Sequence, residues 1–63
     1  MKMTDLKIGD VAVFEHYDPL PAVVIAVDDD PLQPVQVKWA DGTETWPEVK
    51  YGFTFIGHSK DTE

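Results

Sequence analysis

Side chains able to do nucleophilic, acid-base or metal chemistry are few here: two histidines, one serine and no cysteine, beside twelve carboxylates and five lysines. A nucleophile needs an aligned base, and Ser59 lies in the polar stretch 57–63, where nothing rigid is expected to face it. Zinc needs three or four converging ligands. His16 and His58 are far apart, without HxxxH spacing and without a third ligand beside either. Asp28-Asp29-Asp30 could attract a divalent cation, but consecutive carboxylates point in different directions, and the glycine and terminal glutamate of a calcium loop are missing. That run reads as a solvated loop. Asp41 with Glu44 could imitate a glycosidase pair, yet so small a chain offers no cleft for a sugar. The inventory predicts a protein that is not an enzyme and has no metal site and no cofactor.

The aromatic residues offer recognition instead: Phe14, Tyr17, Trp39, Trp46, Tyr51, Phe53 and Phe55. A core of this size holds about three or four of them. The others must cover a mouth or lie on the surface, where tyrosine and tryptophan act as interface anchors. Tyr17 sits between Glu15-His16 and Asp18, in a connection with no regular core face. Together Phe14, Tyr17, Leu20, Trp46 and Tyr51 can build an amphipathic patch rimmed by Glu15, Asp18 and Glu48. Such a patch suits a basic or proline-containing peptide. In the alternative reading Tyr17 only lids the end of the fold.

Charge narrows the partner. The formal net charge is −7 and arginine is absent, whereas nucleic-acid binders need a basic stripe and usually arginine for base contacts. Direct DNA or RNA binding is therefore disfavoured, and a basic protein or peptide favoured. The acidity equally serves to keep a small monomer soluble. The start of the chain lacks the apolar run of a signal peptide, and Ala22 to Val27 is too short to span a membrane. With no cysteine to oxidise, the expectation is a cytoplasmic protein.

These side chains must be positioned by short strands, because no helical periodicity is present and five prolines and four glycines punctuate the chain. The pattern predicts strands over Val11 to His16, Pro21 to Val27, Val35 to Ala40, Thr43 to Trp46 and Gly52 to Ile56. Pro47-Glu48-Val49 reads as a short turn or a single 3-10 turn before the last strand. The second strand, AVVIAV, is apolar on both faces and is expected to be covered on both. In the third, Val35, Val37 and Trp39 share one face.

Asp41-Gly42 marks a hairpin whose register stays open. A two-residue loop sets Val37 opposite Trp46 and puts both tryptophans on the core face. A three-residue loop, Ala40-Asp41-Gly42 with Gly42 in a bulge, sets Lys38 opposite Glu44 and turns Trp46 outward. Five strands in about fifty positions are best hidden at their edges by closure. The expected fold is all-β: a five-stranded antiparallel barrel over 7–57, with an N-terminal extension over 1–6 and a flexible polar tail over 58–63.

The order of motifs, with Ile8-Gly9-Asp10-Val11 opening the first strand, Pro21-Ala22-Val23-Val24 the second, then VKWADG, Trp46 and Val49, resembles the Tudor-like branch of the Src-homology-3-like barrels. The resemblance covers roughly residues 7–57 and implies a peptide- or protein-binding module. Tudor domains hold methylated lysine or arginine in an aromatic cage; here Leu20 stands where the family often carries a cage aromatic. Three functional expectations follow. The first is a non-enzymatic module binding a basic or amphipathic partner. The second is an acidic inhibitor that imitates nucleic acid, a role fitting a stand-alone acidic domain of this size, as small phage accessory proteins often are. The third is a structural subunit of a homo-oligomer or larger particle.

Overall fold

The computed structural model describes residues 2–17 and 19–58. Five antiparallel strands form one sheet: β1 (Asp10–Phe14), β2 (Ala22–Val27), β3 (Val35–Trp39), β4 (Glu44–Thr45) and β5 (Phe53–His58). Their order across the sheet is β4-β3-β2-β1-β5. The first four form a meander, and the last returns to pair with β1. The only helical elements among the described residues are 3-10 turns, η1 (Met3–Asp5) and η2 (Val49–Tyr51). None of the described helices is long and apolar enough to cross a membrane.

Alternation builds the core. On β1 the buried positions are Asp10, Ala12 and Phe14, and on β3 they are Val35, Val37 and Trp39, while Lys38 between them faces solvent. Ala22 and Val24 of β2 complete the inner face. β2 lies inside the sheet, between β1 and β3, and a bulge at Ile25 shifts its register against β3, from Val24↔Val37 to Ala26↔Gln36. Its second face is less covered than the double-faced pattern predicts. Val23, Ile25 and Ala26 are only half-buried and Val27 is exposed.

The first six residues are not an extension lying outside the fold. Met3 and Leu6 are both buried in the core. The Asp5 carboxylate accepts the Lys2 N–H, and the Leu6 N–H donates to the Met3 carbonyl, so the segment folds into a turn that inserts both apolar side chains. A sheet this small has too few inward positions to make a core alone. At the other end β5 runs to His58, past the expected end at Ile56. His58 Nδ1 is hydrogen-bonded to the Asp10 carboxylate, which ties the last position of β5 to the first of β1. That carboxylate also accepts the Lys7 N–H, so this nearly buried acid is satisfied at both oxygens. The expected flexible tail began at His58, which belongs instead to β5, and the rest of it, 59–63, lies outside the described residues.

β1 stops at Phe14, two residues before the expected end at His16. His16 has φ +68, in the left-handed region, so the chain turns there and does not continue the strand. The 3-10 turn expected at Pro47 to Val49 falls at Val49–Tyr51 instead.

Candidate functional site

The hairpin between β3 and β4 decides where the aromatic residues go. Lys38 pairs with Glu44 and Val37 with Thr45. The Gly42 N–H donates to the Trp39 carbonyl at 2.9 Å, and the Trp39 N–H donates to the Thr43 carbonyl at 2.9 Å. With Gly42 at φ +92, this is the three-residue loop with its bulge, stabilised by the one residue type that adopts such a φ without strain. Trp39 points into the core, as the alternation of β3 directs in either register. Trp46 is half-buried and outside the core cluster; its carbonyl accepts the Gln33 side-chain amide at 2.9 Å.

The loop also fixes a carboxylate at the hairpin tip. Asp41 accepts the Thr43 N–H at 2.9 Å. That backbone hydrogen bond, with a further one from the Thr43 side chain, holds the exposed Asp41 carboxyl below the ordinary aspartate range, so it is ionised at neutral pH.

Tyr17 arrives from the β1–β2 connection. Its ring lies over Trp39 with centroids 6.1 Å apart and planes at 25°, and it meets Tyr51 edge-on at 6.2 Å. Trp39 is held in turn by its indole N–H, which donates to the Leu20 carbonyl at 3.1 Å. The single polar group of the indole is thus satisfied within the fold. Tyr17, Trp39, Asp41, Thr43 and Thr45 line an open pocket of about 270 Å³. Aromatic faces, hydroxyls and one ionised carboxylate are the chemistry that receives a cation or an amphipathic side chain.

Tyr51 is differently engaged. The His16 ring lies tilted against it, centroids 4.4 Å apart and planes at 43°, and the Lys50 ammonium stands 5.0 Å from its ring centroid. Lys50 is paired with Glu48 at 3.3 Å, and that hydrogen-bonded pairing pushes the lysine pKa up. Tyr51 therefore already carries a cation of its own chain, and Tyr17 offers the more available ring. A larger cleft of about 360 Å³ lies elsewhere, between η1, η2 and Pro31, lined by Lys2, Met3, Thr4, Pro31, Val49, Gly52 and Phe53. Its only charged side chain among the described residues is that of Lys2, so it does not suit a basic partner.

The patch expected from sequence is partly rearranged. Phe14 is only 1% exposed and stacks on Phe53 at 5.9 Å inside the core, so it is corrected from a surface residue to a core one. It sits on the inward face of β1, where alternation with Ala12 directs it. Tyr17 and Tyr51 do come together. Glu15 is exposed beside Gly52, its N–H donating to the Gly52 carbonyl. Leu20 is exposed and contributes a backbone carbonyl to Trp39, and Glu48 is half-buried against Lys50. Asp18 lies outside the described residues.

Trp39, Asp41, Thr43 and Thr45 were missing from the expected site. Their signal in the sequence was the hairpin turn, which in its three-residue register brings the tip of β3 and β4 beside Tyr17. Among the described residues no group of three or more His, Cys, Asp or Glu side chains could hold a metal ion. Comparison with protein-family models, with curated proteins and with solved structures finds no match to this chain.

Proposed function

We propose that the chain is a small Src-homology-3-like, Tudor-like barrel that works as a non-enzymatic protein- or peptide-binding module, receiving a basic or amphipathic segment in the Tyr17 pocket. The barrel reading is supported by the strand order, in which β5 returns to β1 after a four-strand meander, and by the bulges at Ile25 and near Val11/Ala12, which bend a sheet towards closure. One observation carries the binding reading. Tyr17 is a half-buried ring stacked on an immobilised tryptophan, beside a carboxylate that stays ionised.

The charge agrees, since an excess of seven negative charges attracts a basic partner and accelerates its encounter. A library of lysine- and arginine-containing peptides on an array, followed by calorimetry on the best binder, tests this. Tyr17→Ala should weaken the best binder about tenfold or more, as loss of an anchor aromatic does, with the circular dichroism spectrum unchanged. Asp41→Asn should weaken it less, and more at low salt than at high salt. Equal affinity of wild type and Tyr17→Ala would remove the site. An affinity that disappears in moderate salt would point to charge mimicry instead.

A further inference from the structure

The two edges of the sheet differ in a way that singles out a second interaction surface, independent of the Tyr17 pocket. The β4 edge is two residues long and carries Glu44, which is ordinary protection against unwanted strand pairing. The β5 edge is six residues long, Phe53-Thr54-Phe55-Ile56-Gly57-His58, with no aspartate, glutamate, lysine or proline. Phe55 and Ile56 are 38% and 55% exposed. An uncharged, apolar, β-prone edge in so acidic a chain is an open template.

The hydrogen-bond phase shows which of its backbone groups are open. The Glu15 N–H donates to the Gly52 carbonyl, and from there the register runs Phe14↔Phe53, Val13↔Thr54, Ala12↔Phe55. Bonded and non-bonded pairs alternate in an antiparallel ladder. Thr54 therefore bonds to β1, while the N–H and C=O of Phe53 and of Phe55 face away from it. Among the described residues these groups have no backbone partner outside the β1 ladder.

We infer that β5 pairs with β5 of a second copy of this chain, antiparallel about a two-fold axis passing between the two Thr54 residues. Two features of the strand select this occupant. A two-fold at Thr54 places Phe53 opposite the other Phe55 and Thr54 opposite Thr54, and because Phe53-Thr54-Phe55 reads the same in both directions every facing pair is of like side chains. In that register the outward N–H and C=O groups of the four phenylalanines pair completely with one another, and the interface is isologous, as a two-fold requires. A basic segment, by contrast, would find no carboxylate on β5 to meet it, while a neutral strand keeps the acidic surfaces of two protomers out of the contact. Cross-strand aromatic pairs and a threonine pair are favourable neighbours in such a ladder.

The test is analytical ultracentrifugation of the full chain with Thr54 variants, because Thr54 is exposed in the monomer and its substitution leaves the core alone. Wild type should dimerise, and association should strengthen as salt screens the repulsion between two acidic protomers. Thr54→Lys sets two ammonium groups face to face and should weaken the dimer about tenfold or more. Thr54→Glu should do the same, and mixing the two variants should restore a heterodimer. Circular dichroism of each variant reports that the fold is retained. A wild type that stays monomeric at roughly millimolar concentration, a dimer that loosens with salt, or variants that dimerise as wild type does would each overturn the inference.

Discussion

Phe14 and Tyr17 are three residues apart and both aromatic, yet the structure gives them opposite roles, and their alanine variants should separate those roles by energy. Phe14 is 1% exposed and stacked on Phe53. Removing a fully buried phenylalanine costs about 3–5 kcal/mol in lost transfer energy and residual cavity. At roughly 0.05–0.15 kcal/mol per residue, a chain of 63 residues has roughly 3–9 kcal/mol in total. Phe14→Ala should therefore consume most of the stability and leave a partly unfolded population at 25 °C.

Tyr17 is half-buried, and its loss forfeits the ring contacts to Trp39 and Tyr51, worth about 0.5–1.5 kcal/mol each beyond burial. Those two contacts put the cost of Tyr17→Ala at about 1–3 kcal/mol, and the variant should remain predominantly folded. Urea unfolding followed by tryptophan fluorescence is the assay, since Trp39 is only 5% exposed and reports loss of the core directly. Phe14→Leu, which refills most of the volume, should recover much of the loss. If Phe14→Ala were no more destabilising than Tyr17→Ala, the separation of core from site drawn along β1 and its connection would be wrong.

Three further outcomes follow from individual contacts. Gly42→Ala meets no atom within 4 Å, so its effect isolates the cost of an L-residue at φ +92. That cost is about 1–2 kcal/mol, or about 4–8 °C of melting temperature per kcal/mol in a domain this small; an unchanged melting temperature would argue against the bulged loop. His58→Ala leaves the buried Asp10 carboxylate with the Lys7 N–H but without its imidazole partner. It should cost about 1–3 kcal/mol in urea, and a double-mutant cycle with Asp10→Ala should return most of that as coupling.

Asp41 has a folded pKa below its unfolded one. Its contribution to the hairpin is therefore complete above the unfolded value and is lost as pH falls through the folded value. The Thr43 amide resonance should follow that titration below the ordinary aspartate range, and Asp41→Asn, which keeps the acceptor but not the charge, should abolish it.

Much of the architecture could be read locally. Period-two alternation in VQVKW assigned Val35, Val37 and Trp39 to one face because successive strand residues must point to opposite sides. Composition alone removed thiol chemistry and supplied the acidic surface, since both depend on which residues exist and not on where they lie. The seven aromatic residues were also visible as too many for so small a core.

What remained for the tertiary structure were choices between states that the local sequence makes nearly equal. A two- and a three-residue loop at Asp41-Gly42 both satisfy the turn chemistry, and a one-residue slip reverses every side chain of β4. The structure adopts the longer loop, which pairs Lys38 with Glu44 and leaves Trp46 outside the core cluster, while Trp39 packs beneath Tyr17 with its indole N–H on the Leu20 carbonyl. Phe14 was legible as an aromatic near a loop, but only the end of β1 at that residue and the arrival of Phe53 against it made it core. Met3 and Leu6 carry no strand pattern at all, and their burial depends on the gap left by a sheet with too few inward side chains. Local propensity determined the strands; long-range packing decided which aromatic rings the protein keeps inside and which it presents.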